Sequence, residues 1–356
     1  MVVAAGGTAG HVVPAMAVAD ELQASGAEVS FLGTRERIEA ELVPAAGYEI
    51  DFVKVRGIDR RNPLRAARAG AEALAAVGAA RKVLRRRGAD VVVGGGGFVA
   101  GPAGLAAAMT RTPLVLTEAD SHLGLANRLL ARRARRVCLA FPIAGREGDR
   151  YLVTGRPVPK AVLEGDRDAA RRRFGIAADA RCLLVFGGSQ GARSINLAAF
   201  EAFAEREGRD FDVVHIAGTR DFPELEPRLA AAVNAEGYTL LPYEPNLGDA
   251  LAAADLVLAR SGGSIFEVVA VGRPAILVPF PFATGDHQSA NAEWMRAAGA
   301  ASVIPDAELS AERLQAEVAA TIEDPARLEA MASAARGLAK PDAARRIADQ
   351  VLEAAG

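Results

Sequence analysis

The chain has 356 residues, of which 51% are hydrophobic and only 5% aromatic, and it carries a net charge of −2. That length allows two domains of ordinary size, and the near-neutral balance argues against a general nucleic-acid binder. Charge is uneven, however: 22 basic and 15 acidic side chains lie in residues 1–156, against 20 and 29 beyond. An anionic partner is therefore expected for the first half alone.

Short apolar runs open the chain and recur along it: VVAA at 2–5, VSFLG at 29–33, VVV at 91–93, PLVLT at 113–117 and RVCLAF at 136–141. Helical patterns separate them, and this alternation predicts parallel sheets covered by helices on both faces. The uncharged stretch Val91 to Thr110 is long enough to raise a transmembrane reading. Its six glycines and Pro102 would make a poor membrane helix, so it reads as strand, glycine loop and helix. The segment TGRPVP (154–159) reads as a linker stiffened by its prolines. The pattern then restarts with LLVFGG at 183–188, FDVVHIAG at 211–218, TLLPY at 239–243, DLVLA at 255–259 and AILVPF at 275–280. The tail after Pro341 reads as one helix.

The expected organisation is therefore an N-terminal domain over 1–156, a second over 157–340, and a terminal helix over 341–356 packing back toward the first. The expected fold class is α/β, two doubly wound Rossmann-like domains facing across a cleft, with ligands beyond the carboxyl ends of the strands. Cys138 and Cys182 sit in apolar runs and read as buried core thiols. With no signal-peptide pattern at the start, they point to a reducing, cytoplasmic setting.

Four strand-to-helix turns are rich in glycine: GGTAGH (6–11), GGGGFVAG (94–101), GGSQGAR (187–193) and RSGGS (260–264). Such turns present backbone N–H groups and a helix N-terminus to an anion. One alone would be weak evidence, because tight turns need glycine for structural reasons. Gly95-x-Gly97 begins a dinucleotide fingerprint, but Ala100 stands where the third glycine belongs, and no GxxxxGK[ST] phosphate loop is present.

GGTAGHVVPAMAVADEL, GGGGFVAGP, GGSQGARSIN, ARSGGSIFEVVAVGRPAILVPFP and GDHQSANA follow one another over nearly the whole chain. Together they resemble the MurG family, cell-wall N-acetylglucosaminyltransferases that convert lipid I to lipid II. The resemblance implies the glycosyltransferase-B fold and inversion at the anomeric centre. Its substrates would be UDP-N-acetylglucosamine and an undecaprenyl-linked muramyl-pentapeptide, with no cofactor and no nucleic acid. It implies donor contacts from Thr8, Ala9, Gly10, Asp120, Ser189, Gly263, Ser264, Glu267 and Gln288, with Glu267 on the ribose and Gln288 on the sugar. Gly96, Gly97, Asn127 and His11 fall on the acceptor side. The family's HEQN is here Thr117-Glu118-Ala119-Asp120, and its GNPVR is GRPVP, so that Pro159 replaces an arginine and Arg156 an asparagine. Arg156 could span that displacement and still donate to phosphate or uracil; the alternative is a solvent-facing linker side chain. Glu244 stands where the family has a hydrophobic residue.

Inverting transfer needs a base for the attacking hydroxyl. Of four histidines, His11 ends the first glycine loop, where it would act as base or acceptor ligand, or else cap and pack the helix. Glu118 ends PLVLT and is the second catalytic candidate, its alternative being a helix-entry carboxylate. His122 reads as solvated, His215 as a core histidine inside a strand, and His287 as a neighbour of the donor reader. Asp166-Arg167-Asp168 and Asp210-Phe211-Asp212 match Asp-x-Asp by letter, but one opens a helix and the other a strand. No metal site is expected.

Eleven Lys or Arg and two acids lie between Lys54 and Arg87, and Arg128, Arg132, Arg133, Arg135 and Arg136 add a second cluster. They read either as solvated helix faces or as a surface for anionic lipid, placing the chain peripherally on the cytoplasmic face of the inner membrane. The only tryptophan, Trp294, lies in the other domain. Rival readings are a lipid or secondary-metabolite glycosyltransferase of the same fold, a nicotinamide-dependent dehydrogenase, and a non-catalytic nucleotide-sugar-binding membrane partner.

Overall fold

The computed structural model describes residues 1–55, 63–188 and 191–356, without the side chains of 63–71 and of Thr284. Among the described residues the chain divides into two compact units, Met1–Pro159 with Lys340–Gly356, and Lys160–Ala339. The division falls at the end of TGRPVP rather than after Arg156.

In the first unit, strands β1 (Val2–Ala4), β2 (Ser30–Gly33), β3 (Glu49–Phe52), β4 (Val92–Gly94), β5 (Leu114–Glu118), β6 (Arg136–Leu139) and β7 (Tyr151–Val153) form one sheet. Its order is β3-β2-β1-β4-β5-β6-β7, and every pairing is parallel. The central strands are apolar throughout because helices cover both faces. Val2, Val3 and Ala4 of β1, for instance, are fully buried. The order turns back between β1 and β4, where a doubly wound sheet opens its ligand crevice. Both glycine turns of this unit lie there, one between β1 and the helix Ala9–Ala24, the other between β4 and the helix Gly97–Thr110.

The terminal helix Ala343–Ala355 packs on the helix Ala9–Ala24 within this unit. Its apolar stripe, Ile347, Ala348 and Val351, joins the core of Val12, Ala15, Val18 and Leu22. Arg136 fastens its polar side by donating to Gln350 (2.9 Å) and Glu353 (3.1 Å).

The second unit repeats the plan with β8 (Cys182–Phe186), β9 (Asp212–Ile216), β10 (Tyr238–Leu241), β11 (Leu256–Ala259), β12 (Ala275–Leu277) and β13 (Ala301–Val303). The order is β10-β9-β8-β11-β12-β13, again parallel. The glycine segments after β8 and β11 flank its reversal point. Cys138 and Cys182 are both buried free thiols, and burial pushes each up to about 12.

Candidate functional site

In the first unit the two glycine turns touch. Gly96 and Gly97 take φ of 97° and 75°, a region that favours glycine. A side chain on Gly97 would collide with the Gly6 carbonyl, and one on Gly96 with the His11 ring. These two predicted acceptor residues thus let the second turn pass directly beneath the first and against the imidazole.

His11 lies in the first turn of the helix Ala9–Ala24. Thr8, the N-cap, spends its hydroxyl on His11 Nδ1 (3.1 Å) instead of on a backbone N–H of the helix. Burial first, and then the Arg156 guanidinium, hold the imidazole below its usual pKa, while Asp120 and Glu39 act the other way. A neutral imidazole whose Nδ1 is engaged by a hydroxyl has Nε2 available as a base when the proton sits on Nδ1. Arg156 reaches the same loop, with Nη2 donating to the Gly10 carbonyl at 2.7 Å. Thr8 and Gly10 are exposed, and Ala9 is half-buried.

Glu118 ends β5 and is buried, yet both its oxygens are engaged. Oε1 accepts from Asp120 N–H (3.2 Å), and Oε2 from Gly124 N–H (2.8 Å) and Asn127 Nδ2 (2.9 Å). Burial, the largest cause, leaves its pKa raised although these hydrogen bonds act the other way. The geometry suits a carboxylate that closes the 119–127 loop, the alternative weighed from sequence, better than a proton acceptor. Asn127 is itself buried and also donates to the Thr117 carbonyl (2.9 Å), so it belongs to the same clasp. Asp120 is the member of this loop whose charge acts on His11.

The second unit builds its loops from buried polar anchors. Ser261 donates to the Gln288 carbonyl oxygen (2.8 Å), and Asn291 donates to the Ser261 carbonyl (2.9 Å), tying RSGGS to the helix His287–Ala297. Gln288 Oε1 accepts from Phe280 N–H (2.9 Å). This fixes the amide's orientation and turns its Nε2 toward Gly262. Gly263, Ser264 and Glu267 are half-buried at the start of the helix Ile265–Ala270. Arg260 underpins the loop by donating to the Val278 carbonyl (3.0 Å) and to Ser194 (2.7 Å) and by pairing with Asp306 (2.6 Å). Ser189 lies outside the described residues.

His215, read from sequence as a core histidine, anchors a buried network in this unit. His215 meets Tyr238 (2.7 Å) and Asn196 (3.1 Å), and Asn196 donates to Asp221 (2.7 Å) and to the Ala217 carbonyl (2.7 Å). Complete burial holds His215 down at about 3, so it is a neutral core histidine. Glu244 is buried too, its carboxylate engaged by Arg173 (2.9 Å) and by Asn246 N–H (2.8 Å). Asp166 caps the helix Arg167–Phe174 by accepting from Ala169 N–H (2.9 Å), a structural use. Among the described residues no group of three or more His, Cys, Asp or Glu side chains gathers as a metal site.

Family models describe both units: the glycosyltransferase family 28 N-terminal domain matches residues 1–139 and the C-terminal domain residues 182–347. A relative from Methylococcus capsulatus is 42% identical over 360 residues, covering 100% of this chain and 99% of its own. It is named UDP-N-acetylglucosamine--N-acetylmuramyl-(pentapeptide) pyrophosphoryl-undecaprenol N-acetylglucosamine transferase. The chain belongs to the MurG family of glycosyltransferases. A relative of the same name from Moorella thermoacetica is 39% identical, over 99% of this chain and 98% of its own. The crystal structure of Acinetobacter baumannii MurG aligns with a TM-score of 0.80 at 29% identity, covering 99% of both chains. The calicheamicin glycosyltransferase CalG4 shares the fold, with a TM-score of 0.72 at 21% identity over 99% of this chain and 97% of its own. Membership of this family sets aside the dehydrogenase reading.

The main residue that sequence reasoning missed in the first unit is Glu39. It sits in the charged run RERIEAEL (35–42), where nothing separates it from Glu36 or Glu41. In the fold it is fully buried beneath the first glycine loop.

Proposed function

We propose that the chain transfers N-acetylglucosamine, with inversion, from UDP-N-acetylglucosamine to the muramyl 4-hydroxyl of undecaprenyl-pyrophosphoryl-MurNAc-pentapeptide, lipid I to lipid II. The observation that carries the reading is His11, a half-buried imidazole kept neutral at the mouth of a glycine loop, on a chain whose relatives bear that activity's name along its full length. In this reading His11 takes the acceptor hydroxyl's proton as the anomeric carbon is attacked. Thr8, Ala9 and Gly10 offer backbone and hydroxyl donors to developing negative charge. In the second unit Gln288 reads sugar hydroxyls with its oriented amide, Glu267 holds the ribose, and Ser189, Gly263 and Ser264 approach the diphosphate. Helix N-termini and these donors stabilise the departing UDP without a metal or another cofactor. Glu118 and Asn127 shape the acceptor-side loop that carries Asp120.

Peripheral attachment to the cytoplasmic face of the inner membrane is part of the proposal. No described helix is long and apolar enough to cross a membrane. What supports surface attachment is a set of exposed aliphatic side chains on neighbouring helices of the first unit: Leu74, Leu105, Met109, Leu125 and Leu129. Lys82, Arg85, Arg86, Arg128, Arg132 and Arg133 are exposed on the same helices or just beyond them. Arg56, Arg60 and Arg61, part of the basic run read from sequence, lie outside the described residues. Aliphatic side chains would enter the interface while the cations meet anionic headgroups, each worth about 1 kcal/mol near the surface.

The test is a radiolabelled transfer assay with UDP-N-acetylglucosamine and lipid I. Label appearing in lipid II, abolished by His11→Ala, supports the reading. Donor binding without turnover would favour the non-catalytic alternative.

A further inference from the structure

Glu39 is the first residue of the helix Glu39–Ala45, in a stretch whose other acids, Glu36 and Glu41, are exposed. Its own side chain is 0% exposed. A buried carboxylate persists only when its oxygens are satisfied, and three donors satisfy this one. Thr34 supplies its backbone N–H (3.0 Å) and its hydroxyl (2.6 Å) to Oε1, and Gly7 supplies its N–H (3.0 Å) to Oε2. Thr34 follows β2 directly, whereas Gly7 belongs to the first glycine loop. The carboxylate therefore joins the end of one strand to the loop after its neighbour. The fit is close on the loop side as well, since a side chain on Gly6 would strike the Glu39 carboxylate.

We infer that Glu39 is a positioning residue for the transfer reaction: by accepting the Gly7 N–H from below, its buried carboxylate sets the first glycine loop and thereby the place of Thr8 and His11. The inference rests on the proposed role of His11. The loop leaves Gly7 for the Thr8 N-cap, whose carbonyl accepts from the N–H groups of His11 (3.0 Å) and Val12 (3.2 Å) and whose hydroxyl meets the imidazole. Fixing the peptide before Gly7 thus fixes the start of that helix. The imidazole has little room to compensate for a shifted loop, because its ring lies against the Gly96 backbone. The charged groups acting on it are Arg156, Asp120 and Glu39, so Glu39 also contributes a negative charge that raises its pKa.

Glu39→Gln keeps the shape, removes the charge, and lets one oxygen still serve Thr34. Its NH2 would then face the Gly7 N–H, donor against donor, and the loop must move. The expected result is a fall in kcat of roughly tenfold to a hundredfold, with lipid I KM changed less than threefold. The acidic limb of the kcat/KM profile should also move to lower pH, since a raising influence on His11 has gone. Faster amide hydrogen exchange at Gly7 should accompany both. Kcat within twofold of the parent overturns the inference. So does a loss that only follows the folded fraction, with the acidic limb unmoved, because a purely structural carboxylate would behave that way. If Glu39→Gln does not fold, Thr34→Val is used: it keeps the charge but frees one side of the clasp, and should lower kcat while leaving the acidic limb in place. Unchanged kcat in that folded variant also overturns the inference. Failure of the parent enzyme to transfer label from UDP-N-acetylglucosamine would instead defeat the functional reading on which the inference stands.

Discussion

Replacing Arg156 by alanine removes a cation that contacts the first glycine loop and separates the loop's geometry from its electrostatics. The guanidinium donates to the Gly10 carbonyl at 2.7 Å, and its charge is the second cause, after burial, of the lowered His11 pKa. A hydrogen bond from a charged donor is worth about 1.5–3 kcal/mol, and the side chain is only half-buried, so the lower end of that range applies. About 1.4 kcal/mol is tenfold, so kcat/KM at its pH plateau should fall roughly tenfold. The sign of the pH effect is fixed: without the cation the His11 pKa rises toward 6.5, the base is protonated over a wider range, and the acidic limb moves to higher pH. The assay is radiolabelled transfer across a pH series with lipid I saturating and UDP-N-acetylglucosamine varied. An unmoved acidic limb would refute the electrostatic argument. A limb that moves while the plateau keeps its height would refute the positioning role of the Gly10 contact.

Other consequences follow from the same geometry. Gln288→Ala should weaken UDP-N-acetylglucosamine by roughly tenfold and UDP by less than twofold in calorimetry, because the amide held by Phe280 N–H is assigned to the sugar alone. Leu129→Asp combined with Arg132→Glu and Arg133→Glu should release the protein from anionic liposomes in co-sedimentation, whereas the parent should be released progressively by salt. Transfer should persist in excess EDTA, since helix N-termini rather than a metal are assigned to the leaving diphosphate; loss of turnover restored by a divalent cation would contradict that assignment. His215→Leu leaves buried Asn196 and Tyr238 groups without their partner, so it should cost about 2–4 kcal/mol in chemical denaturation.

The central strands were legible in the sequence because a parallel sheet covered on both faces demands unbroken apolar runs, as in Cys182–Phe186, where every residue is buried. The edge strands β3 and β7 were not, because an edge needs no such run: Glu49 is exposed and Ile50, Asp51 and Phe52 are half-buried. The glycine turns and His11 were readable because tight strand-to-helix turns leave few residue choices. The contacts that support those turns were not: Asp120 and Arg156 were named only as possible donor contacts, and Glu39 not at all. Glu39, Asp120 and Arg156 reach His11 and its loop from segments far apart in sequence, and charge runs look alike until folding buries one member. Glu118 illustrates the opposite limit. Its place at a strand's carboxyl end suggested catalysis, but the three hydrogen bonds it accepts arise from the path of a loop that no residue pattern announces. Exposed Leu129 and Met109 were hidden likewise, since an apolar residue in a helix reads as core until the neighbouring helices are placed.

The first glycine loop has to satisfy two demands that pull against each other. Its open N–H groups must stay available to the anionic substrate proposed for it, so the loop cannot spend them on its own support. The proposed base, on which the Arg156 cation and the Asp120 and Glu39 carboxylates act, must also remain unprotonated. The fold meets the first demand by taking hold of the loop through groups that do not point outward, the Gly7 N–H below and the Gly10 carbonyl at the side. These holds need partners of opposite sign, because an N–H calls for a carboxylate and a carbonyl for a guanidinium. The pair then acts on His11 in opposite directions, Glu39 raising and Arg156 lowering its pKa, so that burial, the largest cause, decides the outcome and keeps the imidazole neutral. Support and titration are thus separable in this loop, and the direction in which each substitution moves the acidic limb tells which of the two it has disturbed.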